Sequence, residues 1–191
     1  MRDARRHKSR CLRLATAVHA LGTALLSTLL AVASPAAYAA DAELSEYQVK
    51  AAYLYNFITF TEWPAATAGE LRLCVYGPDP FGAELDMLQG KSIDGRTLAV
   101  ARVTSVELLD ACQIVFLARE VISNLPRILD RLQGRTTLLI ADSPGAVRAG
   151  VGINMLNEAD RVSFEVNLDA VHAQGLNLSF RLLRLAEEVL N

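Results

Sequence analysis

The chain of 191 residues has few of the side chains from which catalytic and metal sites are usually built. It holds three histidines, three cysteines and one tryptophan, and it contains no CxxC, HExxH, GxSxG or GxxxxGK[ST] motif. Zinc sites need clustered His and Cys ligands, and a serine hydrolase needs a nucleophile beside a histidine base. We therefore expect a protein that is not an enzyme, with no catalytic residues, no metal and no cofactor.

The histidines in particular offer little chemistry. Two of them, His7 and His19, lie in a segment that we expect to be removed. The third, His172, stands in LDAVHAQG, the last turn of a predicted helix, where a histidine complements the helix dipole. A serine hydrolase would need His172 beside a serine that no motif identifies.

The first 39 residues have the layout of a signal peptide. Six basic residues and one acidic residue lie within positions 2–13, and an uncharged run extends from Leu14 to Ser34. The segment Ala37-Tyr38-Ala39 fits the small-x-small cleavage rule. We predict a signal peptide over residues 1–39 and a mature domain over 40–191. An uncleaved N-terminal anchor is the alternative, because the apolar run would nearly span a bilayer.

Removal of residues 1–39 makes the chain strongly acidic. Of 19 basic and 21 acidic residues, 13 and 20 remain, which gives a net charge of −7. That charge argues against nucleic-acid binding through a general basic field. The remaining 152 residues suit one domain with a sizeable core.

Two cysteines, Cys74 and Cys112, remain once Cys11 has left with the leader. In an exported protein the expected state is a single disulfide. Closing a loop of 38 residues would stabilise the fold by roughly 4 kcal/mol in the chain-entropy model. Two buried thiols or a redox-responsive pair are the alternatives.

The pattern of apolar runs predicts an α/β fold. Four short runs without alternation read as buried strands, at 71–77, 97–103, 113–118 and 136–142. Helical connections precede three of them, which favours a mostly parallel sheet covered on both faces. A hairpin is predicted from about 151 to 168, and two helical pieces end the chain. We expect one three-layer domain with a C-terminal antiparallel hairpin.

Half of the twelve aromatic residues lie between Tyr47 and Trp63, in a predicted helix from Leu44 to Trp63. At about 100° per residue the apolar positions form two stripes, with Lys50 between them. One stripe holds Tyr47, Ala51, Leu54 and Ile58, and the other holds Val49, Tyr53, Phe57 and Phe60. So wide an apolar arc predicts a helix buried on two sides, or a stripe edge that completes a pocket or a partner surface.

A lysine inside an apolar arc must reach water or find a carboxylate. Glu165, on the strand VSFEVN, is the expected partner of Lys50, and Arg181 on the final helix competes for it. The cluster would be a structural ion pair or part of a site for a small zwitterionic or acidic ligand. The candidate partner- or ligand-binding residues are Lys50, Tyr53, Asn56, Phe57, Glu165 and Arg181.

Four ordered segments resemble the YfiR-like family of periplasmic proteins. They are KAAYLYNFITFTEWP, LRLCVYGPDPFG, CQIVFLA and VSFEVNLDAVHAQGLNLSFRLLRLA. Together they extend over essentially the whole predicted mature chain.

The resemblance implies a regulator. A well-known member represses an inner-membrane diguanylate cyclase by binding its periplasmic sensor part, which lowers cyclic-di-GMP and biofilm formation. An outer-membrane lipoprotein relieves that repression, and a second copy of the chain is a further candidate partner. Cys74 and Cys112 stand where one family disulfide lies, and a second pair known in some members is missing here. The alternative is a small-ligand sensory domain that acts on another membrane signalling protein.

Overall fold

The computed structural model describes residues 44–64, 69–158 and 161–191 of the chain. The predicted signal peptide lies outside these residues. Within the described ranges, no helix has the length and apolar character needed to cross a membrane.

The sheet elements of the described residues come in chain order. They are β1 (Thr61–Glu62), β2 (Leu71–Tyr76), β3 (Ser92–Ile93), β4 (Arg96–Val103), β5 (Ile114–Leu117), β6 (Leu138–Ala141), β7 (Ile153–Glu158), β8 (Arg161–Asn167), β9 (Asn177–Leu178) and β10 (Glu188–Leu190). The α-helices are α1 (Glu46–Thr59), α2 (Ala83–Asp86), α3 (Leu125–Leu132), α4 (Leu168–Ala173) and α5 (Phe180–Leu183). Short 3₁₀ helices cover Val106–Ala111, Arg119–Asn124 and Val147–Ala149.

The main sheet has the order β10-β8-β7-β6-β5-β2-β4-β3. Strands β4, β2, β5, β6 and β7 are mutually parallel, and β8 runs antiparallel to β7. Numbered by their appearance in the chain, the five parallel strands have the spatial order 2-1-3-4-5. This is the doubly wound order of flavodoxin-like domains.

Two apolar cores lie on opposite faces of the sheet. One packs α1, α2, α4 and α5 against one face, around Phe57, Phe116 and Phe164. The other packs α3 and the 3₁₀ helices on the opposite face, around Val115 and Leu139. The predicted fold class is therefore confirmed: one α/β domain with a mostly parallel sheet between helical layers and an antiparallel pair near the C-terminus.

Two predicted helices were too long. Helix α1 ends at Thr59 because side chains satisfy its last carbonyls: Thr61 Oγ1 donates to Phe57 O at 2.6 Å, and Trp63 Nε1 donates to Ile58 O at 3.0 Å. The final segment is not one helix, because β9 pairs with β1 and β10 pairs with β8 on either side of α5. Tertiary pairing outweighs local helix propensity there.

The predicted disulfide between Cys74 and Cys112 is confirmed, with their Cα atoms 5.9 Å apart. It joins β2, a central strand, to the residue that follows the 3₁₀ helix Val106–Ala111. Both cysteines are buried in the core on the α3 side. The bond thus fixes that 3₁₀ helix to the centre of the sheet.

Candidate functional site

In doubly wound folds, ligands bind outside the carboxyl ends of the strands, at the point where the strand order reverses. Here that point lies between β2 and β5. Gly77, directly after β2, has φ +99°, and a Cβ at this position would lie 2.9 Å from Val121 Cγ1. The segment Arg119–Asn124 therefore packs directly onto the Gly77 backbone. The buried polar side chains lie instead at the carboxyl end of β6, the strand next to β5.

The carboxyl end of β6 carries a buried cluster of charges. Asp142 follows the last residue of β6, and its side chain is 1% exposed. It accepts hydrogen bonds from Lys50 Nζ at 2.7 Å and from the Tyr47 hydroxyl at 3.2 Å. Arg119 Nε lies 3.4 Å from the other carboxylate oxygen and donates to the Asp142 carbonyl at 2.9 Å. We call Glu46, Tyr47, Lys50, Arg119 and Asp142 the Asp142 cluster.

Lys50 is the most deeply buried cation of this cluster, with a side-chain exposure of 0%. Besides Asp142 it contacts Glu46 Oε1 at 2.5 Å, one helical turn earlier on α1, and its ammonium lies 4.7 Å from the Tyr47 ring centroid. A buried ammonium is tolerated only when such partners replace its water. The contacts with Asp142 fasten the first turns of α1 to the end of β6.

Tyr47 is the aromatic residue of the Asp142 cluster. Burial raises the pKa of its phenol to about 12, and the negative charge and the hydrogen bond of Asp142 add to the effect. Its ring packs edge-on against Phe81, with centroids 5.2 Å apart. Tyr47 therefore joins the charge cluster to the apolar core.

The expected pairing of Lys50 with Glu165 is wrong. Glu165 alternates along β8 with Phe164 and Val166, which belong to the core on the α1 face. It therefore points to the opposite face of the sheet from α1. Its carboxylate accepts a hydrogen bond from Asn154 Nδ2 at 3.3 Å.

Glu165 is nevertheless joined to the Asp142 cluster through a polar relay. Asn154 Oδ1 accepts from the backbone N–H of Ser143 at 3.0 Å, and Ser143 directly follows Asp142. Asn154 is fully buried and pairs in register with Glu165 across β7 and β8. The hydroxyl of Ser143 is buried and has no hydrogen-bond partner within the described part of the chain.

The two aromatic candidates on α1 have different surroundings. Phe57 is fully buried, with its ring centroid 4.9 Å from that of Phe164. Tyr53 is half-buried, and its hydroxyl donates to Val162 O at 3.1 Å. Tyr53 lines a surface groove of about 420 Å³, whose charged walls are Glu46 and Arg161.

The other candidates lie at the surface. Asn56 is exposed beside a second groove, of about 280 Å³, between α1 and α2; its apolar lining includes Ala51, Met87 and Leu88. Arg181 is exposed on α5 and does not pair with Glu165. The structure thus buries Lys50 and Phe57 and leaves Tyr53, Asn56 and Arg181 within reach of other molecules.

Three partners of the Lys50 site, Asp142, Glu46 and Arg119, are not among the residues expected from the sequence. One signal was available for Glu46, because Glu and Lys four residues apart on a helix form an ion pair. A second signal was available for Asp142 and Arg119, which stand just after the buried strands β6 and β5. The carboxyl ends of neighbouring parallel strands lie side by side, so these two residues could be expected near each other.

Fold and site together define a doubly wound α/β domain whose first helix is fastened by buried charges at the carboxyl edge of the sheet. The chain belongs to the YfiR/HmsC-like family, whose model matches residues 47–187. Members of this family are periplasmic and regulatory, and they act with membrane proteins in diguanylate cyclase signalling.

Comparison with other proteins adds little beyond the family. No curated protein matches the chain. Eight chains of solved structures match, among them an ABC domain in complex with L-Trp from Streptococcus pneumonia, at 11% identity and a TM-score of 0.47. That match covers 63% of this chain and 55% of the other, so the chain spans about half of that structure. A likeness so distant carries no conclusion about ligands or function.

Loss of the Lys50 charge should destabilise the fold strongly. In Lys50→Met the apolar stem is kept, but the buried Asp142 carboxylate loses its closest cation. Breaking one partner of a buried pair costs about 3–5 kcal/mol, and we expect a fall of that size in the free energy of unfolding measured by urea denaturation at pH 7. The matched control is Arg127→Met, which removes an exposed ion pair with Glu107 and should cost no more than about 1 kcal/mol. Equal costs for the two variants would contradict this account of Lys50.

The raised pKa of Tyr47 predicts a loss of stability at alkaline pH. The phenol ionises near pH 10 in the unfolded chain and near pH 12 in the folded one. Its contribution is therefore fully present below pH 10 and is lost as the pH rises through 12. In Tyr47→Phe the unfolding free energy should fall less steeply between pH 10 and 12 than in the wild type. Tyr55→Phe, outside the Asp142 cluster, is the control, and an unchanged slope in Tyr47→Phe would refute the prediction.

Proposed function

We propose that this protein binds the periplasmic sensor part of an inner-membrane diguanylate cyclase and represses it, which lowers cyclic-di-GMP and limits biofilm formation. The proposal includes export through a signal peptide over residues 1–39 and release of a mature domain over 40–191. An outer-membrane lipoprotein that sequesters the mature domain would relieve the repression.

The observation that carries the proposal is the family match, which covers nearly all of the described domain. Two structural features agree with a binding role in an exported protein. A disulfide fixes a helical segment to the central strand β2, as is common in oxidising compartments. The buried Asp142 cluster holds α1 firmly, so that the exposed side of this helix is a pre-organised surface, which reduces the entropy lost on binding.

The groove between α1 and α2 is the contact surface that we propose for the cyclase. Its floor is apolar, and Asn56, Glu84 and Lys91 stand on its rim. Gln48 and Glu84 share a hydrogen bond of 3.0 Å, which ties α2 to α1. A small apolar depression with a polar rim is suited to one apolar anchor of a partner.

Deletion of the gene should raise cellular cyclic-di-GMP several-fold, and the wild-type gene supplied in trans should restore the original level. Asn56→Arg should fail to restore it, because an arginine at this position would fill the groove. Mass spectrometry of the nucleotide provides the measurement, and a tagged wild-type protein should co-purify with the cyclase.

Gln133→Arg is the matched control for this complementation. Gln133 is exposed at the end of α3, on the opposite side of the sheet, and its change adds the same charge. It should restore repression fully. If deletion left cyclic-di-GMP unchanged in cells whose cyclases carry periplasmic domains, the proposed function would be wrong.

A second candidate function is sensing of a small ligand on behalf of another membrane signalling protein. The groove beside Tyr53 favours it, because a carboxylate from Glu46 and a guanidinium from Arg161 face an apolar lining that includes Val49 and Val162. Opposite charges around an apolar site suit a small zwitterion. A thermal-shift screen with amino acids should then show stabilisation that Arg161→Met abolishes, and the absence of any such shift would reject this candidate.

A further inference from the structure

The short helix α5 presents an apolar and basic surface to solvent. Phe180 is 74% exposed and Leu185 is 71% exposed, the two highest values among the large apolar side chains of the described residues. Arg181 and Arg184 are exposed beside them. Phe180 and Arg184 are four residues apart, as are Arg181 and Leu185, so on a helical turn the four side chains form one continuous surface. We call these four residues the α5 patch.

The α5 patch is rigidly supported. Leu182, on the inner side of the turn, is 2% exposed and belongs to the core. Ser179 caps the turn through its side chain, and its backbone N–H donates to Phe60 O at 2.9 Å. The preceding strand β9 pairs with β1. The backbone of so firmly held a turn needs no ordering when a partner binds, which lowers the entropic cost of an interface.

The two arginines are free to meet carboxylates from another molecule. Within the described part of the chain, neither Arg181 nor Arg184 forms an ion pair. The nearest carboxylates in sequence, Glu187 and Glu188, are bound to Arg161 and Arg148. Positive charge thus stands uncompensated on a domain whose net charge beyond residue 39 is −7.

The apolar and basic side chains of the α5 patch indicate what kind of molecule could bind there. Arginine and aromatic side chains are enriched at protein interfaces and at their energetic centres. A second copy docking patch to patch would bring four arginines together and is disfavoured. An anionic lipid surface would repel the strongly acidic domain as a whole. A protein surface with an apolar cleft edged by Asp or Glu would bury the two apolar side chains and pair with both arginines.

We propose that the α5 patch docks into an acid-edged apolar cleft on the periplasmic part of a membrane signalling protein. This inference rests on the proposed function and adds to it a second contact, distinct from the groove between α1 and α2. Phe180 and Leu185 enter the cleft, while Arg181 and Arg184 pair with the carboxylates at its edge.

Photo-crosslinking in cells tests this proposal. Phe180 is replaced by p-benzoylphenylalanine in the full chain, and the adducts formed under ultraviolet light are identified by mass spectrometry. We expect an adduct with the periplasmic part of a membrane signalling protein, and a yield at least tenfold lower when the same chain carries R181E and R184E. Leu108, 54% exposed on the 3₁₀ helix Val106–Ala111, is the control site for the crosslinker and should give no such adduct.

The charge control is R127E with R135E, which changes the net charge by the same amount on the α3 side and should leave the adduct yield intact. Circular dichroism of each purified variant confirms that it is folded. A charge reversal in the identified cleft, from carboxylate to arginine, should restore the adduct with R181E and R184E.

Other outcomes overturn the proposal. An adduct with a second copy of the chain, a yield no higher than at position 108, or a yield insensitive to R181E and R184E would each reject it. Co-sedimentation with phosphatidylglycerol vesicles that R181E and R184E abolish would assign the patch to lipid instead.

The test also separates this inference from the proposed function. A charge-dependent adduct with a membrane signalling protein that is not a diguanylate cyclase would uphold the α5 patch and reject the proposed function. If deletion of the gene raised cyclic-di-GMP but Phe180 gave no adduct, only the α5 patch would be rejected.

Discussion

The contact between Lys50 and Asp142 determines how the first helix meets the sheet. Both side chains are withdrawn from water, and removing one partner of such a buried pair is strongly destabilising. Because Lys50 lies on α1 and Asp142 directly follows β6, their pairing sets both the depth of the helix and its position along the strands. Apolar contacts alone would fill the same space but could do so in several registers. A single buried ion pair with defined hydrogen bonds is one way to select among them.

The same cluster explains which surfaces are left for partners. Lys50, Leu54, Phe57 and Ile58 turn inward together, so that the sides of α1 are free to line the two grooves. The crevice that doubly wound proteins commonly use for ligands lies instead where Val121 packs on Gly77. The grooves and the exposed apolar side chains described above therefore lie on the flanks of α1 and on α5 rather than at the centre of the sheet edge. Such a distribution suits a protein whose ligand is another protein.

The architecture could be predicted from the sequence to a large extent, because the positions of strands and helices follow from local patterns of apolar residues. Continuous apolar runs mark β2, β5 and β6, and alternation marks β8, so strand positions and layers were foreseen. The site was harder to predict. The two apolar stripes of α1 showed that Lys50 needed a carboxylate, yet periodicity gives no information about which distant strand supplies it. Glu165 stands among apolar residues and is therefore the partner that the sequence predicts, but it alternates along β8 with Phe164 and Val166 and so lies on the other face of the sheet.

The α5 segment illustrates a different limit. Its sequence is rich in leucine and favours a long helix, and the pairing of β9 with β1 and of β10 with β8 interrupts it. That interruption is what lifts Phe180 and Leu185 out of the core. Helix propensity alone would have placed at least one of them against the sheet. Exposure of this patch is thus a product of tertiary structure.

The distance along the chain between Lys50 and Asp142 has a consequence for the order of assembly. The two residues are 92 positions apart, and the hydroxyl of Tyr53 finds its acceptor 109 positions later. A chain that emerges N-terminus first therefore presents α1 long before Asp142 or strand β6 exists, whereas Cys74 and Cys112 are only 38 positions apart. Contacts of such long range form late. Helix α1, the first element of the described residues, is accordingly among the last to be seated.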